Sequence, residues 1–187
     1  MNLFSSSIET VAVPTEKPKF DFDDFFIEQW ERLCEVVYHL TGDWDEAQDI
    51  ALDTFIQLYR KPPQDDQNLY GWIYRVATNR GLNSLRANKR RVHYESQKIY
   101  GNSEKEHSHD PEERIERRQE KELVRKTLAS MNNRSARLLV LRHSGFSYKE
   151  LADIFNVSKN SIGTLLVRAG REFESIHKKS TNSDQEE

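Results

Sequence analysis

The sequence has little of what builds disulfide-linked, membrane-spanning or turn-rich proteins. Its single cysteine, Cys34, excludes an internal disulfide, and the apolar helical pattern around it predicts a buried thiol in a reducing cytoplasm. Only 7 glycines and 5 prolines occur in 187 residues, so we expect few turns and mostly helices. No run of eighteen apolar residues exists, which excludes a membrane-spanning helix. The first residues lack the basic start and apolar stretch of a secretory signal.

Apolar residues are also scarce, and charged residues are abundant. Hydrophobic residues make up 36% of the chain and charged residues 32%. Such a chain can bury small cores rather than one large core. The composition therefore predicts an all-α protein of two small helical domains joined by a flexible linker.

The net charge of -3 gives no sign of nucleic acid, but the charges are segregated. Between Asp21 and Asp53 there are eleven acidic residues and one basic residue, Arg32. Between Arg75 and Lys98 there are seven basic residues and one acidic residue, Glu95. Two adjacent blocks of opposite sign indicate a negative surface for one partner and a positive surface for another.

The first module is expected at residues 20–94, after a flexible tail at residues 1–19. Its first helix runs from about Asp21 to Leu40 and ends at Gly42, which suits a left-handed turn. A second helix begins at Asp43, a predicted N-cap, and Glu46 completes a pair that resembles a capping box. Pro62 and Pro63 end it.

A third helix, from about Tyr70 to Arg91, has one apolar face and one polar face that becomes cationic. The apolar residues recur at three- and four-residue steps, as in a helix packed on a bundle. The outer face suits nucleic acid, with an ordinary solvated surface as the alternative.

Residues 95–112 are polar and without period, which predicts a linker. His107 and His109 lie in it, but two histidines without further ligands at useful spacing do not indicate a metal site.

The second module is expected at residues 113–179, followed by a tail at residues 180–187. Ser147 and Glu150 have the spacing of a capping box, and a short turn at Asn156 and Val157 separates two helices. Two short helices on a tight turn predict a helix-turn-helix, with the second helix presented to a major groove. A purely structural helical hairpin is the alternative.

Nothing in the sequence indicates catalysis. There is no glycine-rich phosphate loop, no nucleophile with its base and no closed set of metal ligands. We therefore expect no enzyme activity, cofactor, metal or small-molecule substrate. The open alternatives are a helix-turn-helix regulator that acts by itself and a helical adaptor that binds only proteins.

Three segments, in order, resemble those of a bacterial RNA polymerase sigma factor of the extracytoplasmic-function type. They are GDWDEAQDIALDTFIQLYR (residues 42–60), YGWIYRVATNRGLNSLRANKRR (residues 70–91) and the helix-turn-helix FSYKELADIFNVSKNSIGTLLVRAGREF (residues 146–173). They are similar to the family's polymerase-binding helix, its promoter-melting helix and its fourth conserved region. The resemblance covers nearly all of the chain except its tails.

The resemblance implies a role for each matching position. The residues implied in binding core polymerase are Glu46, Asp49, Asp53 and Phe55. Those implied at the minus-ten element are Trp72, Arg75, Asn79, Asn83, Arg86, Lys89, Arg90 and Arg91. Those implied at the minus-thirty-five element are Lys159, Asn160, Ser161, Thr164, Arg168 and Arg171.

The resemblance also implies the partners and the function. Core RNA polymerase would be bound through a coiled coil of its largest subunit, and promoter DNA would be recognised and melted. An anti-sigma factor would hold the protein inactive in the cytoplasm.

Overall fold

The computed structural model describes residues 20–63, 68–94 and 111–183, which form seven α-helices and no strand. The helices are α1 Phe22–Thr41, α2 Trp44–Arg60, α3 Leu69–Tyr94, α4 Pro111–Ser130, α5 Asn133–His143, α6 Tyr148–Phe155 and α7 Lys159–Ser183. The all-α prediction is confirmed. The tail predicted at residues 1–19 and most of the predicted linker lie outside the described residues. No helix in the described ranges is long and apolar enough to cross a membrane.

Local sequence signals fix the ends of α1 and α2. Asp21 caps α1 through its side chain, which accepts hydrogen bonds from the backbone of the first turn, and Gly42 ends it at φ 71°. The Asp43 side chain accepts from the Glu46 backbone N–H at 3.1 Å. The Glu46 carboxylate, however, bonds to the Ser84 hydroxyl of α3. Asp43 is therefore a cap as predicted, while Glu46 joins two helices.

An aromatic cluster forms one end of the first core. Phe55 of α2 lies at its centre, with its ring centroid 4.7 Å from that of Phe26 and 6.2 Å from that of Trp30. Phe55 is 1% exposed, so its predicted place on the polymerase-binding surface is wrong. Its removal from water stabilises the fold instead, as aromatic pairs in a core do. Cys34 is buried as predicted, and burial raises the pKa of its thiol to about 11.

The second module has α6 and α7 as its helix-turn-helix. Both halves of the capping box at Ser147 and Glu150 are present, as predicted. Asn156 adopts the left-handed conformation at φ 51°, which reverses the chain between α6 and α7. Tyr148, the first residue of α6, is 39% exposed. α7 continues to Ser183, so residues 180–183, expected in a tail, are helical.

The two modules pack directly against each other. Phe146, just before α6, is fully buried, and its ring centroid lies 4.7 Å from that of Tyr74 of α3. The Arg32 guanidinium of α1 lies over the same Phe146 ring, 3.8 Å from its centroid. The small cores expected for separate modules therefore meet around the Phe146 ring.

Candidate protein and nucleic-acid interfaces

The exposed side of α2 combines carboxylates with apolar side chains. Asp49 and Asp53 are exposed, as predicted for a docking surface. Leu52 and Ile56, which are 45% and 37% exposed, lie on the same side of the helix by their spacing. We call Asp49, Leu52, Asp53 and Ile56 the α2 face. The sequence analysis did not predict that Leu52 and Ile56 belong to this surface. Their four-residue spacing was the available signal, because it places both apolar side chains outside the buried side of α2.

Two of the predicted docking residues are tied to α3. Arg80 donates to the Asp53 carboxylate at 2.9 Å and to Gln57 at 2.8 Å. Glu46 is bonded to Ser84 and half-buried. These contacts align α2 with α3, so a partner on the α2 face would be held at a fixed position relative to the polar side of α3.

The polar side of α3 is divided between solvent and the second module. Asn79 and Asn83 are exposed, whereas Trp72 is half-buried. Arg75 is exposed at the edge of a cleft shared with α5 and α6. The side chains of Lys89, Arg90 and Arg91 lie outside the described part of the structure.

Arg86 is fully engaged by the second module. Its guanidinium donates to the carbonyl oxygens of Ala129 at 2.9 Å and Met131 at 2.8 Å, and to Asn133. The last turn of α4 contains no basic residue of its own. Arg86 thus supplies, from the first module, the positive charge that a helix C-terminus favours.

The predicted recognition surface of α7 is open to solvent. All six side chains expected at the minus-thirty-five element are exposed: Lys159, Asn160, Ser161, Thr164, Arg168 and Arg171. Their helix is anchored from behind by Ile162 and Ala169, which are 0% and 1% exposed. The exposed set carries three cations and several hydrogen-bonding groups, which can contact phosphates and base edges.

A polar network between the modules surrounds Glu150 of α6. Its carboxylate accepts from Arg32 at 2.8 Å and from the Tyr70 hydroxyl at 2.9 Å. Burial opposes ionisation of Glu150, but these bonds and those from Ser147 outweigh it, and the pKa falls to about 2. The pKa of Tyr70 is raised, first by burial. No pattern in the sequence pairs residues this far apart.

His39 of α1 lies at a second contact between the modules. Its Nδ1 is 3.0 Å from the Ser144 hydroxyl, and its ring centroid is 5.2 Å from that of His143. Burial and the neighbouring His143 lower the pKa of His39, and Arg125 acts in the same direction against the opposing effect of Glu35. Within the described ranges, no group of three or more metal-binding side chains is formed. His107 and His109 fall outside those ranges.

Both halves of the chain match models of known domains. Residues 27–91 match Sigma-70 region 2, and residues 121–171 match Sigma-70, region 4. α2 and all but the last three residues of α3 lie within the first match, and α6 and the first half of α7 lie within the second.

Two curated proteins are similar to this chain over most of its length. The RNA polymerase sigma factor YlaC of Bacillus subtilis is 24% identical over 174 residues, which are 91% of this chain and 98% of that protein. The RNA polymerase sigma-H factor of Pseudomonas aeruginosa is 28% identical over 166 residues, 84% of each chain. CnrH, solved in complex with the cytosolic domain of CnrY, has a similar fold at 16% identity and a TM-score of 0.50. That likeness covers 83% of this chain and 86% of CnrH.

Proposed function

The chain belongs to the extracytoplasmic-function type of bacterial RNA polymerase sigma factor, and we propose that three of its surfaces divide the work of transcription initiation. The α2 face binds core RNA polymerase, the polar side of α3 acts at the minus-ten element, and α7 acts at the minus-thirty-five element. The single observation that carries this assignment is the exposure of all six predicted side chains on α7 together with an exposed acidic and apolar α2 face.

Binding of core polymerase is assigned to Asp49, Asp53 and their apolar neighbours. Leu52 and Ile56 would provide the area that leaves water, and the carboxylates would select a basic partner surface. Glu46 and Phe55 contribute indirectly, because one aligns α2 with α3 and the other supports α2 from the core.

Promoter melting is assigned to α3. Extruding a base from the stack costs a few kcal/mol, which stacking and hydrogen bonds to the exposed base can offset. Asn79 and Asn83 are exposed and offer amide groups for such bonds, while Trp72 lies half-buried on the same helix. Phosphate contacts, whose strength falls with salt, would be added by the basic residues of the helix: Arg75, Arg86, Lys89, Arg90 and Arg91.

Promoter binding by α3 requires that the second module move away. Arg86 is occupied by α4 and α5, and Arg75 faces α5 and α6 in the cleft. The arrangement described above is therefore an inactive form of the protein. Core polymerase, by holding the two modules apart, would convert it to the DNA-binding form.

A protein partner is proposed to act on the equilibrium between the inactive form and the DNA-binding form. CnrH, which has a similar fold, was solved in complex with another protein, the cytosolic domain of CnrY. We assign this chain a protein partner too, an anti-sigma factor that holds it inactive. We assign the chain itself a regulatory rather than an enzymatic role, in the cytoplasm. The two domain matches disfavour a helix-turn-helix regulator that acts without polymerase.

Transcription in vitro tests the proposal. Core polymerase with the full-length chain should initiate at a limited set of start sites in a genomic library, and core polymerase alone should not. Sequence-specific operator binding by the isolated chain, without any effect on polymerase, would overturn it.

A further inference from the structure

Three arginines from both modules line one cleft. Arg75 of α3 lies across from Arg134 and Arg137 of α5, and the cleft has a volume of about 120 Å³. Thr78 and three apolar residues, Leu141, Ile154 and Phe155, complete its walls. Among the side chains that line it in the described part of the chain, none is acidic.

The arginines are held close to one another rather than paired with carboxylates. The ion pairs that join Arg32 with Glu150 and Arg80 with Asp53 do not involve any of the three. Arg134 and Arg137 both lie near the Phe155 ring, at 6.0 and 5.7 Å from its centroid. Arg137 also donates to the Asn133 carbonyl at 3.2 Å, which fixes its position.

This arrangement has an electrostatic cost. Burial lowers the pKa of Arg137, and the charges of Arg75 and Arg134 lower it further. Since arginine remains charged in proteins, the repulsion is not relieved by loss of a proton. It opposes the packing of α3 against α5 unless an anion occupies the cleft.

We propose that the cleft binds a phosphate group, which bridges Arg75 of the first module with Arg134 and Arg137 of the second. The planar guanidinium group matches the oxygens of phosphate in bidentate geometry, and three such groups suit an anion with more than one charge. The volume suits one or two phosphate groups rather than a folded polypeptide. The phosphate could belong to a small phosphorylated molecule or to the backbone of a nucleic acid.

The consequence is a ligand that favours the inactive arrangement. An anion that contacts both modules binds the packed form more tightly than the separated form, and it shifts the equilibrium accordingly. This part of the inference rests on the function proposed above, in which α3 must be released to reach the promoter. Anion binding itself does not depend on that function.

Thermal unfolding and small-angle scattering of the full-length chain test the proposal, with inorganic phosphate and pyrophosphate as probes. Chloride at equal ionic strength controls for screening of the arginine charges. At about ten times its Kd, pyrophosphate should raise Tm by roughly 3–5 °C and reduce the radius of gyration. Equal effects of pyrophosphate and chloride would overturn the proposal.

Variants locate the site. Arg137→Gln and, separately, the exposed Arg75→Gln should each abolish the pyrophosphate effect, while Arg60→Gln on α2, outside the cleft, should retain it. An undiminished effect in both cleft variants would place binding elsewhere and overturn the proposal.

Competition identifies the source of the phosphate. If a single-stranded oligonucleotide displaces pyrophosphate, the nucleic-acid backbone is the ligand. If it does not, the ligand is a free phosphorylated molecule. Failure of transcription with core polymerase in phosphate-free buffer would count against the proposed function alone.

Discussion

Arg32 and Glu150, which are 118 residues apart in the sequence, form an ion pair of 2.8 Å between the first helix and the helix-turn-helix. Tyr70 donates to the same carboxylate oxygen, so one acidic side chain joins α1, α3 and α6. Glu150 also completes the cap of its own helix. The residue therefore has a local role and a role in packing the two modules.

Glu150→Gln separates these roles. Glutamine can still complete a capping box, so α6 should remain folded, but the ion pair with Arg32 is lost. We expect packing between the modules to weaken by about 1 kcal/mol, because the pair is only partly buried. Scattering should show a larger radius of gyration, and promoter transcription should not fall. Glu31→Gln, on the exposed side of α1, is the control. An unchanged radius of gyration would show that the ion pair does not hold the two modules together.

Asp49→Arg with Asp53→Arg should abolish co-purification with core polymerase. The helices should remain intact, because Asp49 is exposed and the Asp53–Arg80 pair lies at the surface, where such pairs contribute at most about 1 kcal/mol. Leu52→Ser with Ile56→Ser should weaken binding by at least roughly tenfold, since fully burying one such apolar side chain is worth about 1.5–3 kcal/mol. Glu174→Arg, exposed on α7, serves as the charge control. Normal polymerase binding by both double variants would contradict the assignment of the α2 face.

Arg168→Ala should lower promoter-specific transcription without changing polymerase binding. A lost base contact costs about 1–3 kcal/mol, which corresponds to roughly five- to 150-fold in promoter affinity. Footprinting of the upstream element with the assembled holoenzyme measures the loss. Val167→Ala, at the neighbouring exposed position, is the matched control. Equal transcription by the two variants would exclude Arg168 from the contact surface.

Acidification should loosen the packing between the modules. The pKa of His39 is lowered in the folded protein by burial and by His143, so the unfolded or separated form binds more protons. The contribution of His39 to stability is therefore fully present above the ordinary histidine pKa of about 6.5 and decreases as pH falls below it. Glu150 does not contribute in this range, because its pKa of about 2 keeps it ionised.

The measurement is the free energy of unfolding between about pH 7.5 and pH 5. His39→Gln should flatten the profile, because glutamine does not titrate and can still bond to Ser144. A profile of the same slope in the variant would assign the titration to another group.

Local signals in the sequence predicted the helices and most of their ends, because caps such as Asp43 and Ser147 act within one turn. The six residues on α7 were implied by the family resemblance, and the structure places all of their side chains in solvent. Phe55 was predicted on the surface but is buried. The match to the family pattern identifies the residue type at a position, and it does not say which side of the helix is buried. The contacts of Glu150, Arg86 and Phe146 could not be predicted, because they join elements that no local pattern relates.

Arg86 binds the free carbonyls at the end of α4, and a carbonyl oxygen offers an arginine much the same acceptor that a DNA phosphate does. The same side chain cannot satisfy both at once. Each promoter contact by Arg86 would leave the end of α4 uncapped, so the measured affinity for DNA is a difference between two competing acceptors. A promoter would have to outcompete a part of the protein itself, so DNA that offers too few base contacts to offset this loss would not stay bound.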